Sequence, residues 1–175
     1  MTISKIRPIR SYVLRQGRLT KHQAEGIKSL SSLHAISFGD NILNWDAIFK
    51  NEGKKIIEIG FGMGDTTAEI AETLSNSNFI AIDVHSPGVG NLLNKIKEKE
   101  LQNLKIIQHD AVEVLEKMVL DESLDAVHIF FPDPWHKKRH NKRRLIQEPF
   151  LELISRKLRK EGYIHIAKDW EDYSH

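Results

Sequence analysis

The chain has 175 residues, 40% of them hydrophobic, which suits one domain that buries a core without metal or disulfide staples. It contains no cysteine, which excludes a disulfide framework and thiolate metal sites, and its start, "MTISKIRPIR", lacks the apolar run of a signal peptide, so the expected compartment is the cytoplasm. Its longest apolar runs, "FIAI" and "AVHIFF", are strand-sized and exclude a membrane span, and the net charge of +2 conceals an uneven distribution.

Residues 1–28 carry Lys5, Arg7, Arg10, Arg15, Arg18, Lys21 and Lys28 against Glu25 alone, and residues 1–50 read as a basic arm followed by one or two helices. The first β-rich run is "KKIIEIG" (54–60), with Glu58 inside it. It leads into "EIGFGMGDTT", which sets Gly60, Gly62 and Gly64 between a strand and a helix, where small residues let a ligand approach the backbone. A tight turn alone would also explain three glycines. A helical pattern, "TTAEIAETL", is followed by a second strand, "NFIAIDV" (78–84), ending near Asp83, where an acid accepts hydrogen bonds from ribose hydroxyls. The helix "GVGNLLNKIKEKEL" then leads to a third strand, "LKIIQHD" (104–110), whose Asp110 either lines the same crevice or simply caps the helix "AVEVLEKMV".

The fourth strand, "LDAVHIFF" (124–131), runs into "FFPDPWHKKRHNKRR" (130–144), which fixes Asp133 between two prolines and then carries Lys137, Lys138, Arg139, Lys142, Arg143 and Arg144. A last helical pattern, "RRLIQEPFLELISRKL", with Leu145, Phe150, Leu153, Ile154 and Leu158 near one face, precedes a fifth strand, "GYIHIAKD" (162–169). Alternating β and α at this spacing predicts a doubly wound α/β fold with a mostly parallel sheet. Acids repeated at the ends of strands one to four all point to the crevice where such sheets bind ligands.

Outside the two basic blocks the chain holds 13 Lys and Arg against 23 Asp and Glu, so the body is acidic. One basic block alone would read as a solvated tail, whereas two point to a polyanion, in particular nucleic acid. The glycine spacing E-x-G-x-G-x-G differs from the G-x-G-x-x-G of dinucleotide enzymes, which disfavours a nicotinamide oxidoreductase and favours S-adenosylmethionine. Glu58 would then face the cationic sulfonium and amino acid end, and Asp110 the adenine. Trp135 suits either stacking on a base or core packing. The H-x3-H spacing of His136 and His140 is discounted as a metal site, because further ligands are lacking nearby and the surrounding cations repel a metal ion.

Taken together, "RSYVLRQGRLT", "EIGFGMG", "DVHSPGVG", "HDAVEVL" and "FPDPWHKKRHNKRRL" closely resemble the bacterial tRNA (guanine-N7-)-methyltransferases over about Arg10 to Tyr173. The resemblance implies a class I S-adenosylmethionine methyltransferase, Rossmann-like in fold, that methylates N7 of a guanine in the variable loop of tRNA. It assigns cofactor binding to Glu58, Gly60, Gly62, Gly64, Asp83, Asp110 and Asp133, with Asp133 also catalytic. Lys137 and Asp169 match substrate-binding positions, and Arg139, His140, Asn141, Lys142, Arg143 and Arg144 match an RNA-contacting segment. The family commonly has Glu where Asp83 stands and Thr where Lys168 stands, and it continues past this chain with further strands. The expected organisation is therefore a basic arm and helix (1–50) joined to a methyltransferase domain (51–175) lacking the last strands of that fold, one structural domain overall. A monomer is favoured, with tRNA as partner and neither metal nor membrane. The alternative is a shortened, non-catalytic tRNA-binding remnant.

Overall fold

The computed structural model describes residues 17–130 and 148–167. Five strands, β1 (Lys54–Ile59), β2 (Ser77–Asp83), β3 (Leu104–Gln108), β4 (Leu124–Phe130) and β5 (Leu158–Ala167), alternate with six helices. These are α1 (Lys21–His34), α2 (Trp45–Phe49), α3 (Asp65–Thr73), α4 (Ser86–Glu98), α5 (Ala111–Met118) and α6 (Glu148–Lys157). Every pairing is parallel, in the order β3-β2-β1-β4-β5, which is the doubly wound α/β arrangement. The order reverses at β1, so a crevice opens beyond the C-terminal ends of β1 and β4, where ligands bind in open α/β sheets.

Both faces of the sheet are covered, which is why its strands read as nearly continuous apolar runs. Ile57, Ile80, Ile107 and Val127 look to one face and pack with Trp45, Val114, Leu115, Phe150 and Ile154 of α2, α5 and α6. Ile56, Phe79, Ala81, Ile106 and Ala126 look to the other and pack with Leu30, Ala68, Ala71, Leu92 and Ile96 of α1, α3 and α4. Glu58 and His128 are register partners on β1 and β4, both buried.

Where elements start and stop follows from local chemistry. A capping box starts α1: the Gln23 N–H donates to Thr20 Oγ1 at 3.1 Å, and the Thr20 N–H donates to Gln23 Oε1 at 3.0 Å. β1 stops at Ile59 because Gly60 turns to a φ of 78°, a conformation glycine adopts freely. β3 ends two residues before the expected boundary, since Asp110 becomes the N-cap of α5. β5 begins four residues earlier than expected, as α6 passes straight into it: Leu158 pairs with Leu124, and the register resumes only at Tyr163 opposite Ala126. Asp125 braces that irregular stretch, its carboxylate pairing with Arg159 at 2.6 Å and accepting from the Lys55 N–H at 2.7 Å.

Of the one or two helices expected before β1, two form, and α1 lies directly on α4. Small residues permit this approach: a Cβ on Gly26 would come within 2.6 Å of Asn94 Oδ1, and one on Gly90 within 2.6 Å of the Gln23 carbonyl oxygen. Asn94 completes the contact by donating from Nδ2 to the His22 carbonyl at 3.1 Å. Beyond α1, the Ile36 N–H donates to the Ile106 carbonyl at 2.7 Å, so this segment covers the outer edge of β3. No helix among the described residues is long and apolar enough to cross a membrane.

Candidate functional site

At the C-terminal end of β1 the chain makes a glycine loop before α3. Gly60, Gly62 and Gly64 all have positive φ, 78°, 59° and 82°, so side chains there would be strained. At Gly62 the positive φ and not crowding favours glycine, since a Cβ there would meet nothing within 4 Å, and the space above it is open. Gly64 is the N-cap of α3 and supplies no side-chain cap. The Gly64 N–H closes the turn by donating to the Phe61 carbonyl at 2.9 Å.

Behind this loop lies Glu58, only 1% exposed. Its Oε1 accepts from Thr67 Oγ1 at 2.6 Å, while its Oε2 has no hydrogen-bond partner among the described residues. Burial raises its pKa to about 7; the Thr67 hydrogen bond opposes the rise and the neighbouring Asp83 charge adds to it. A buried carboxyl oxygen without a partner among the described residues is costly, and it makes the pocket receptive to a positively charged ligand group.

Asp83, the last residue of β2, turns its carboxylate to the same loop. Oδ2 accepts from the Gly62 N–H at 2.9 Å, and Oδ1 accepts from the Val84 N–H at 2.7 Å and more weakly from the His85 N–H at 3.4 Å. Burial raises its pKa, and these three backbone bonds oppose the rise. A carboxylate has about four acceptor directions, and three are taken here, so Oδ2 can still accept from one further donor such as a hydroxyl. Asp110 caps α5, its Oδ1 accepting from the Val112 N–H at 3.4 Å, so the helix-cap reading of this residue holds whatever else it contacts.

The structure thus brings Glu58, Gly60, Gly62, Gly64 and Asp83 together at the switch point, with Asp110 beyond the end of the adjoining β3. The expectations for Asp133, Trp135, His136, Lys137, Lys138, Arg139, His140, Asn141, Lys142, Arg143, Arg144, Lys168 and Asp169 lie outside the described residues. Among those that are described, no group of three His, Asp or Glu could hold a metal ion.

Several contributors were not expected from the sequence. Thr67 carries the hydroxyl that engages Glu58 and sits in the first turn of α3, nine residues away in sequence. The N-terminal half of α4 packs against the loop: a Cβ on Gly88 would overlap the Gly62 carbonyl oxygen, and one on Gly64 would come within 2.7 Å of Leu92 Cβ. His109, just before Asp110, stacks on Phe38 with ring centroids 3.6 Å apart and pairs with Glu113. Apart from the local His109–Glu113 pair, four residues apart, these contacts depend on tertiary approach that no sequence pattern signals.

Comparison with known proteins adds an independent line. A family described as "Putative methyltransferase" matches residues 52–175. The tRNA (guanine-N(7)-)-methyltransferase of Methylobacillus flagellatus is 55% identical over 169 residues, covering 96% of this chain and 71% of that protein. Among solved structures, an antibiotic-related methyltransferase superposes with a TM-score of 0.55 at 18% identity, over 78% of this chain and 70% of the other. A Haemonchus contortus N-methyltransferase in complex with S-adenosylhomocysteine gives 0.50 at 17% identity, over 70% of this chain and 28% of the other. At such identities the two structures speak to the fold alone.

Proposed function

Since the chain belongs to the tRNA (guanine-N(7)-)-methyltransferases, we propose that it transfers a methyl group from S-adenosylmethionine to N7 of a guanine in the variable loop of tRNA, in the cytoplasm and as a monomer. The observation that carries the cofactor in this reading is the buried Glu58 carboxyl, with one oxygen unpaired among the described residues, behind a glycine loop that is open above Gly62. These residues fit the cofactor. Glu58 offers a counter-charge to its cationic end, Gly62 leaves room against the backbone, Asp83 presents an acceptor oxygen to a ribose hydroxyl, and Asp110 stands towards the adenine side.

When bound, the cofactor supplies an electrophilic methyl group on a sulfonium. The protein's own task is then mainly one of placement. Guanine N7 has a lone pair and no proton, so no residue is needed to strip the nucleophile. Asp133 is better suited to accept hydrogen bonds from the guanine N1 and N2 hydrogens, aligning N7 and stabilising the cationic product. Lys137 and Asp169 contribute to the guanine side, and Arg139, His140, Asn141, Lys142, Arg143 and Arg144 hold the RNA backbone, which sets register rather than sequence. Residues 1–50 and 51–175 work as one structural domain, a reading supported by the seating of α1 on α4.

The test combines labelled S-adenosylmethionine with unmodified tRNA. Label is expected in 7-methylguanosine, and Asp133→Ala is expected to lose at least about a hundredfold in turnover even at saturating cofactor, with cofactor binding weakened as well. Retention of tRNA without label would overturn the enzymatic reading, and near-normal turnover by the variant would overturn the role of Asp133.

A further inference from the structure

The glycine loop has little stiffness of its own, since three of its residues are glycines at positive φ. What holds it in shape therefore comes from outside. One tie is the Asp83 carboxylate on the Gly62 N–H. Another, beside the Gly60 N–H on the Ile82 carbonyl at 2.9 Å, comes from the second turn of α4, where one side-chain amide reaches two points of the loop and helix junction: Asn91 Nδ2 donates to the Met63 carbonyl at 2.5 Å and to Asp65 Oδ1 at 3.2 Å. Both partners are pure acceptors, so chemistry fixes which end of the amide faces them.

The geometry points to Asn91 as a positioning residue for the cofactor, a latch that holds the Met63–Gly64 peptide in its ligand-accepting orientation; this rests on the S-adenosylmethionine reading above. The carbonyl and N–H of one peptide point in opposite directions. Fixing the Met63 carbonyl against α4 turns the Gly64 N–H inward to the Phe61 carbonyl, which closes the turn that presents Gly62. Gly88 and Leu92, three residues before and one after Asn91, press on Gly62 and Gly64, so the latch acts where the packing is already tight. Asp83 grips the loop by an N–H and Asn91 grips it by a C=O, from successive parts of the same β2–α4 segment. Asn91 is only partly buried and makes no other side-chain hydrogen bond among the described residues, so its removal should leave the fold standing.

The experiment measures S-adenosylhomocysteine binding by calorimetry, cofactor KM and kcat on tRNA, and the thermal midpoint, for the wild type, Asn91→Ala, Asn91→Asp and Asn91→Gln. The expected result is a Kd and cofactor KM raised about fivefold or more in Asn91→Ala and Asn91→Asp, with kcat at saturation within about twofold. The midpoint should stay within about 2 °C of wild type. Asn91→Gln, which keeps the donor, should recover part of the affinity. A wild-type Kd in Asn91→Asp overturns the latch, as does a weakening that merely follows a fall in midpoint across all three variants. Wild-type binding is the reference for the functional reading itself: if the wild type binds no S-adenosylhomocysteine, both fall, whereas wild-type binding with unchanged variants overturns the latch alone.

Discussion

Two buried titratable residues on one face of the sheet work against each other. Glu58 has its pKa raised from 4.5 to about 7, mainly by burial, so the folded chain keeps a proton the unfolded chain would lose. Its contribution to stability is fully present below pH 4.5 and is lost as the pH rises to 7. His128 is lowered from 6.5 to about 4 by burial and by the His165 charge, so its contribution is present above pH 6.5 and lost as the pH falls to 4. The two effects have opposite signs and offset each other between about pH 4.5 and 6.5. Removing one should uncover the other. Denaturant unfolding across pH should show Glu58→Gln losing stability on acidification from 6.5 to 4, and His128→Phe gaining it on acidification from 7 to 4.5. Glu58→Gln should also stabilise the free protein above pH 7 while weakening S-adenosylmethionine binding, the opposite signs expected of a residue that gives up stability for a ligand. A stability curve left unchanged by both substitutions would contradict this account. Glu58 was legible in the sequence as an acid within the first strand, but His128 was not, since a histidine in "AVHIFF" gives no sign that its ring meets Phe79, Tyr163 and His165.

Among the elements, α4 joins two parts of the molecule that the sequence kept separate. Its Gly88 side meets the glycine loop and its Gly90 side meets α1, two residues apart and so on nearly opposite faces of a helix. Gly90→Ala should push α1 off its seat without touching the sheet. Hydrogen exchange should show faster exchange of α1 amides with β1 and β2 amides unchanged, and a uniform rise in exchange would refute the local account. The five strands were legible because β-branched runs buried on both faces stand out from their surroundings. Their ends were less so: "LKIIQHD" could not reveal that Asp110 would leave the strand to cap a helix, and the polar "RKEG" before "YIHIA" hid that the chain was already in β5. The glycine loop was legible as a loop, but Asn91 and Thr67 were not assigned to it, because their roles arise only when α4 and α3 dock.

For the whole molecule, charge is the dominant long-range feature. The sequence sets two basic blocks on an otherwise acidic chain, so on the proposed function the affinity for tRNA should depend strongly on salt. Replacing Arg139, Lys142, Arg143 and Arg144 with Gln should reduce the slope of log affinity for tRNA against log salt by about 3, the value expected if all four neutralise phosphates. The loss should be similar for different tRNAs, since backbone contacts carry no sequence information; an unchanged slope would place the RNA elsewhere. The seating of α1 also has a consequence for the order in which the chain is built. The residues that receive α1 and the segment behind it, Gly90, Asn94, Lys105 and Ile106, lie some seventy residues downstream. During synthesis from the N-terminus, α1 is made before α4 and lacks its main packing surface until α4 has followed, while its Thr20–Gln23 capping box favours the helix meanwhile. Helix α1 thus waits through β1, α3 and β2 before its seat exists, and the closing of the β3 edge by the segment behind it then joins parts of the chain made far apart in time into one body.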